Sequence, residues 1–205
     1  MQKTWLAALT LWTAMGVEAG EPARLTLLLV NQAQVPAKPL QEMLDELGGI
    51  LAQAGIGLET VDCPFQLELP RPAACSQPLR PDRVVLQFIS GQPTRRIHAV
   101  GTTTLRPEQN TATIVIYAGL AQDLAQSTGW SWHELLSHLA AHELGHALLQ
   151  DQGHSRAGVM RAVWSPAELV NLRHPQLLFD SAQATRMRQH LASGQVLAQS
   201  IPVAH

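Results

Sequence analysis

From Leu25 to Val30 the chain reads LTLLLV, an almost unbroken apolar run closed by Asn31. A run so short and uniform predicts a strand buried on both faces, of the kind found in parallel or mixed sheets. The period then changes. Between Pro39 and Ala54 the apolar residues Leu40, Met43, Leu44, Leu47, Ile50 and Leu51 recur at three and four, and Gly55 and Gly57 stop the pattern. That spacing predicts an amphipathic helix. From Gly57 to Val61 the chain is extended again, so its opening predicts a β-α-β unit with a right-handed crossover.

Further on, Arg83–Ile89 (RVVLQFI), Ile97–Thr104 and Thr111–Tyr117 (TATIVIY) predict three more strands, the last two joined by the polar turn LRPEQN. The threonines at 102–104 suit an exposed edge strand. Helical patterns follow over Gly119–Gln126, Trp132–Asp151, Ser165–Leu172 and Ser181–Leu191. Ser165-Pro166-Ala167-Glu168 is a capping box with proline at the first helical position. No repeat or long linker interrupts this order, which predicts one α/β domain with the sheet first and the helices last.

The first twenty residues fall outside that pattern. Lys3, an apolar run from Trp5 to Val17, and Val17-Glu18-Ala19 as a cleavage site read as a secretory signal peptide over residues 1–19, leaving 20–205 as the domain. A run of 13 residues falls short of the roughly 20 needed to span a bilayer, so no stable membrane anchor is expected. Secretion or export to a periplasm places Cys63 and Cys75 in an oxidising compartment, where the short loop between them predicts a disulfide.

Composition narrows the function classes. The 205 residues are 46% hydrophobic and 15% charged, which excludes a disordered chain. Lys and Arg number 14 against 16 Asp and Glu, and aromatics are 4%, so nucleic acid is not an expected partner. A monomer is expected. What stands out is histidine: nine in all, five of them between His133 and His154.

His142-Glu143-Leu144-Gly145-His146 lies within the predicted helix 132–151. Residues at i and i+4 share a helix face, so two imidazoles can reach one cation, while Glu143 sits beside them, able to take a proton from water. The flanking Leu135, Leu136, Leu139, Leu144, Leu148 and Leu149 make this a buried helix, and burying two histidines and a glutamate without partners costs several kcal/mol. Zn²⁺ resolves that cost, with a third protein ligand and a fourth position left to water. His154 is the first candidate for the third ligand, if the helix runs one turn beyond His146 and breaks at Gly153. Glu168, on the next predicted helix, is the rival; Asp151 points away on a continuous helix. Gly158-Val159-Met160 offers a turn able to run beneath the ligands.

His142-Glu143-x-x-His146, then His154-Ser155, then Gly158-Val159-Met160, resembles the metzincin clan of zinc metallopeptidases, whose signature is HExxHxxGxxH followed by a methionine turn. Ser155 is similar to the matrixin-like branch. The resemblance implies a zincin-like fold: a twisted, mixed five-stranded sheet whose antiparallel edge strand lines a substrate cleft, packed by helices that include the HExxH helix. It also implies His142, His146 and His154 as metal ligands and Glu143 as the catalytic residue. Leu149 stands where the family has glycine, His154 follows His146 by eight residues rather than six, and no tyrosine follows Met160. The function expected is a secreted zinc-dependent endopeptidase that hydrolyses peptide or protein substrates by a Glu-activated, metal-bound water. The alternative is a secreted zinc-binding module with a closed or inactive site.

Beside this constellation, His138 shares the face of His142 and is a candidate fourth or substitute ligand; the preferred reading puts it just outside the coordination shell, or makes it a cap or surface histidine. Trp164 is read as a pocket wall or as plain core. Arg95, Arg96 and Arg161 are candidates for binding a peptide carboxylate, but as isolated arginines they are read as solvated surface.

Overall fold

The computed structural model describes residues 23–66, 69–93, 99–164 and 177–199. The predicted signal peptide, the predicted helix 165–172 with Glu168, and Arg95 and Arg96 lie outside the described residues. Five strands form one mixed sheet: β1 (Ala23–Asn31), β2 (Ile56–Asp62), β3 (Arg83–Ile89), β4 (Gly101–Arg106) and β5 (Thr111–Tyr117), in the order β2-β1-β3-β5-β4. All neighbours are parallel except β4, which pairs antiparallel with β5 at the edge. β1 lies between β2 and β3, and this accounts for its apolar run: Leu25, Leu27, Leu28 and Leu29 are buried.

Among the described residues, four helices accompany the sheet: α1 (Ala37–Gln53), α2 (Ala118–Thr128), α3 (Trp132–Leu149) and α4 (Ser181–Gln199). α1 buries Met43, Leu47, Ile50 and Leu51, the predicted three-and-four stripe. α3 is different, because it has no wet face: polar Ser137, His138, Glu143 and His146 are buried along with its leucines and alanines. It packs against α1, α2, α4 and the two strands β4 and β5, which brings its polar residues to the sheet edge. α4 begins at a reciprocal cap, with the Gln183 amide on Asp180 Oδ1 (2.8 Å) and the Asp180 amide on Gln183 Oε1 (3.0 Å).

Several boundaries differ from the sequence reading: α4 continues to Gln199 where its pattern predicts an end at Leu191, and two other differences bear on the site. β4 begins at Gly101 and continues to Arg106, because the connection to β5 needs only a 3₁₀ turn over Pro107–Gln109 and a left-handed Asn110 (φ 54°). Residues 97 and 98 lie outside the described set. α3 ends at Leu149 rather than Asp151, and the left-handed residue that ends it is Gln150 (φ 52°), not Gly153. Cys63 and Cys75 form the expected disulfide. Among the described residues, no helix is long and apolar enough to cross a membrane.

Candidate metal centre

α3 carries His142 and His146 on one face, and the chain turns back after Gln150 to bring His154 beside them. The ligating atoms of the three imidazoles lie within 4.8 Å of one another, the one such cluster among the described residues. Each helix histidine is oriented through its far ring nitrogen. His142 Nδ1 donates to the Val159 carbonyl (2.8 Å) and His146 Nδ1 donates to the Asp151 carbonyl (2.7 Å). Donation at Nδ1 leaves the lone pair on Nε2, the tautomer suited to a metal ligand. Burial pushes His142 down to about 4 and lowers His146 as well, so both rings are neutral near pH 7.

The two Nε2 atoms face each other at 3.1 Å. With both Nδ1 protons committed to carbonyls, that pair has no hydrogen to share, and two facing lone pairs repel. A cation between them removes the repulsion. Zinc about 2.1 Å from each of two tetrahedral ligands holds the nitrogens about 3.4 Å apart, so the helix pair stands near that spacing. His154 is exposed on its loop, its ring centroid 5.3 Å from that of His142 and 4.9 Å from that of His146. Neutral nitrogen donors, anchored from behind by main-chain carbonyls, fit a metal of this kind.

Below the rings, Met160 is 1% exposed, and a side-chain carbon at Gly145 would collide with its sulfur. The 158–160 turn therefore passes under α3 at a point where only glycine leaves room. Gly158 takes the left-handed conformation (φ 76°), which turns the Val159 carbonyl toward His142.

Glu143 is buried, and its carboxylate meets the edge strand. Thr103 Oγ1 donates to Glu143 Oε2 (2.6 Å) and lies 2.9 Å from the Glu143 carbonyl oxygen. Gly101 leaves space for the same carboxylate: a Cβ there would come within 2.8 Å of Oε1. Burial raises Glu143 to about 7, against the opposing effect of the Thr103 hydrogen bond. A cleft of about 720 Å³ opens beside this group, bordered by β4, the three histidines, Gln152, Arg161 and Trp164.

His138 lies outside the three-histidine cluster, as one part of its reading has it, but it is buried rather than on the surface. It is 4% exposed, one turn before His142, with Nδ1 against the Glu134 carbonyl (2.9 Å) and its ring edge-on between Trp130 and Trp164. Trp164 lines the cleft, meets His142 edge-on and donates from Nε1 to the Val159 carbonyl (3.3 Å). Arg161, set aside on sequence grounds, also borders the cleft. Asp151 is off the helix, so its carbonyl rather than its carboxylate faces His146. Sequence reasoning did not single out Thr103, Gly101 or Gln152 as site residues; all three reach the site across the fold.

No family model and no curated protein matches the sequence. The fold is similar to that of archaemetzincin from Methanopyrus kandleri, with a TM-score of 0.51 and 16% identity over 86% of this chain and 99% of that one. It is also similar to metalloproteinase-II from Bacteroides fragilis, with a TM-score of 0.50 and 12% identity over 85% of this chain and 55% of that one. The chain thus has a zincin-like α/β fold, with a three-histidine cluster suited to a metal ion.

Proposed function

We propose that the protein is an exported, zinc-dependent endopeptidase acting on peptide or protein substrates. The observation that carries this reading is the pair of neutral imidazoles whose Nε2 atoms face each other at 3.1 Å, next to a buried carboxylate on the wall of a cleft. His142, His146 and His154 would hold the ion. When bound, zinc supplies a Lewis acid for a scissile carbonyl and acidifies water near neutral pH. Glu143 takes the proton of the attacking water on its carboxylate and returns it to the leaving amine. Thr103 holds Oε2 in place, and Trp164 walls the cleft. The open edge of β4 offers main-chain pairing to an extended peptide.

The similarity to an archaemetzincin and a metalloproteinase supports a peptidase of this kind. Export is supported by the signal-like residues 1–19 together with the Cys63–Cys75 disulfide, which suits an oxidising compartment. The alternative, a zinc-binding module without turnover, has no use for a carboxylate beside the ligands on an open cleft. Elemental analysis tests the metal half of the reading. Purified protein is expected to hold about one zinc per chain, and His142→Ala, His146→Ala and His154→Ala to lose it. Full zinc occupancy in the His142→Ala/His146→Ala double variant contradicts it.

A further inference from the structure

The outer edge of β4 is where a peptide would add, and the strand's register shows which of its groups point there. The Val100 carbonyl accepts the Tyr117 amide at 2.9 Å, so Val100 faces β5. Alternation along an antiparallel pair turns Thr102 and Thr104 the same way and sends the main-chain groups of Gly101, Thr103 and Leu105 outward. One of those outward groups is already engaged: Gln152 Nε2 donates to the Thr103 carbonyl at 3.1 Å, from 49 residues along the chain.

Gln152 lies in the segment between α3 and His154, and its neighbours brace that segment. Gln150 adopts the left-handed conformation and donates from its side chain to the Ala147 carbonyl (2.6 Å). The Asp151 carbonyl receives His146 Nδ1, and the Asp151 carboxylate receives the Gly153 amide (2.8 Å). Gln152 therefore projects from a turn fixed on both sides. On the β4 side the cleft is lined from Ala99 to Thr103 and no further, with Gln152 at that limit. An N–H on an outward strand carbonyl is the group that an added peptide strand would itself present.

We propose that Gln152 closes the cleft at Thr103, filling the hydrogen-bond position of a substrate main-chain amide and limiting how far a peptide extends on that side. This rests on the peptidase reading above. A peptide ending short of Thr103 pairs with Gly101 and leaves Gln152 in place, whereas a longer one must displace it. The interval of eight residues from His146 to His154 gives the segment the length to make this crossing.

The test compares zinc-loaded wild type with Gln152→Ala and Gln152→Asn, all with zinc content and melting temperature measured. Substrates are two nested peptide series around one scissile bond, lengthened at the N-terminal or the C-terminal side. Wild type is expected to lose about tenfold in kcat/KM once one series passes a set length, the size of one competing hydrogen bond. Both variants are expected to remove that loss, so that within each variant long and short peptides are cleaved with the same kcat/KM. Identical length profiles in wild type and both zinc-loaded, folded variants overturn the proposal and leave the peptidase reading standing. Absence of cleavage by all three proteins, each with zinc bound, overturns both.

Discussion

Glu143 is 6% exposed and, in the metal-free protein, burial favours its protonated form, raising it from 4.5 to about 7. A carboxyl raised in the folded state contributes fully below its unfolded value and loses that contribution as pH climbs through the folded one. The cost of ionising it in place is on the order of 3 kcal/mol above pH 7. Metal-free Glu143→Gln is therefore expected to be more stable than metal-free wild type by about that much at pH 8 and equal to it near pH 4, as urea titrations at the two pH values would read. A flat difference between pH 4 and 8 contradicts the burial of an ionising group. Thr103 acts through the same carboxylate. With zinc bound, Thr103→Val is expected to lower kcat about tenfold with KM nearly unchanged, and Thr103→Ser to restore it, since one hydroxyl hydrogen bond to a charged group is at stake. Loss confined to KM, or no rescue by serine, removes Thr103 from that role.

The active helix depends on one position with no side chain. Gly145→Ala places a methyl where the Met160 sulfur lies, and also within 2.9 Å of Phe179, with Met160 itself buried. Overpacking of this kind costs about 1–3 kcal/mol. The strain falls on the 158–160 turn that supplies the carbonyl to His142, so zinc affinity is expected to fall together with melting temperature. Unchanged affinity in a folded Gly145→Ala would separate the turn from the metal site. Elements with one clear period were legible in advance: β3 and β5 have the bounds their apolar alternation predicts, and α1 has its stripe. The misses lie where the terminator is unusual. Nothing in a glutamine at 150 announces a left-handed helix end, whereas Gly153 suggests one and does not provide it. β4 runs past the threonines because Leu105 and Arg106 pair with Ala112 and Thr111, a tertiary fact that local polarity hides.

At the scale of the whole molecule, the sequence made the histidine cluster legible because i and i+4 spacing is local, and His154 follows within one turn of chain. It left the carboxylate's surroundings dark, since Thr103 and Gln152 reach the site only through the pairing of β4 with β5 and its packing on α3. The disulfide lies at the far edge of the sheet, after β2, away from the histidines in the strand order. Replacing both Cys63 and Cys75 by Ala is expected to lower stability by about 3 kcal/mol, as a short closed loop predicts, with zinc content unchanged. Zinc loss in that variant would tie the loop to the metal site. The central claim, that this fold performs hydrolysis with Glu143 as its base, is tested most directly by casein cleavage in zinc-loaded wild type and zinc-loaded Glu143→Gln. Equal zinc in both is expected, with a rate lower by about 10²–10⁴-fold in the variant. Equal rates, or no turnover in either with zinc fully bound, would contradict it.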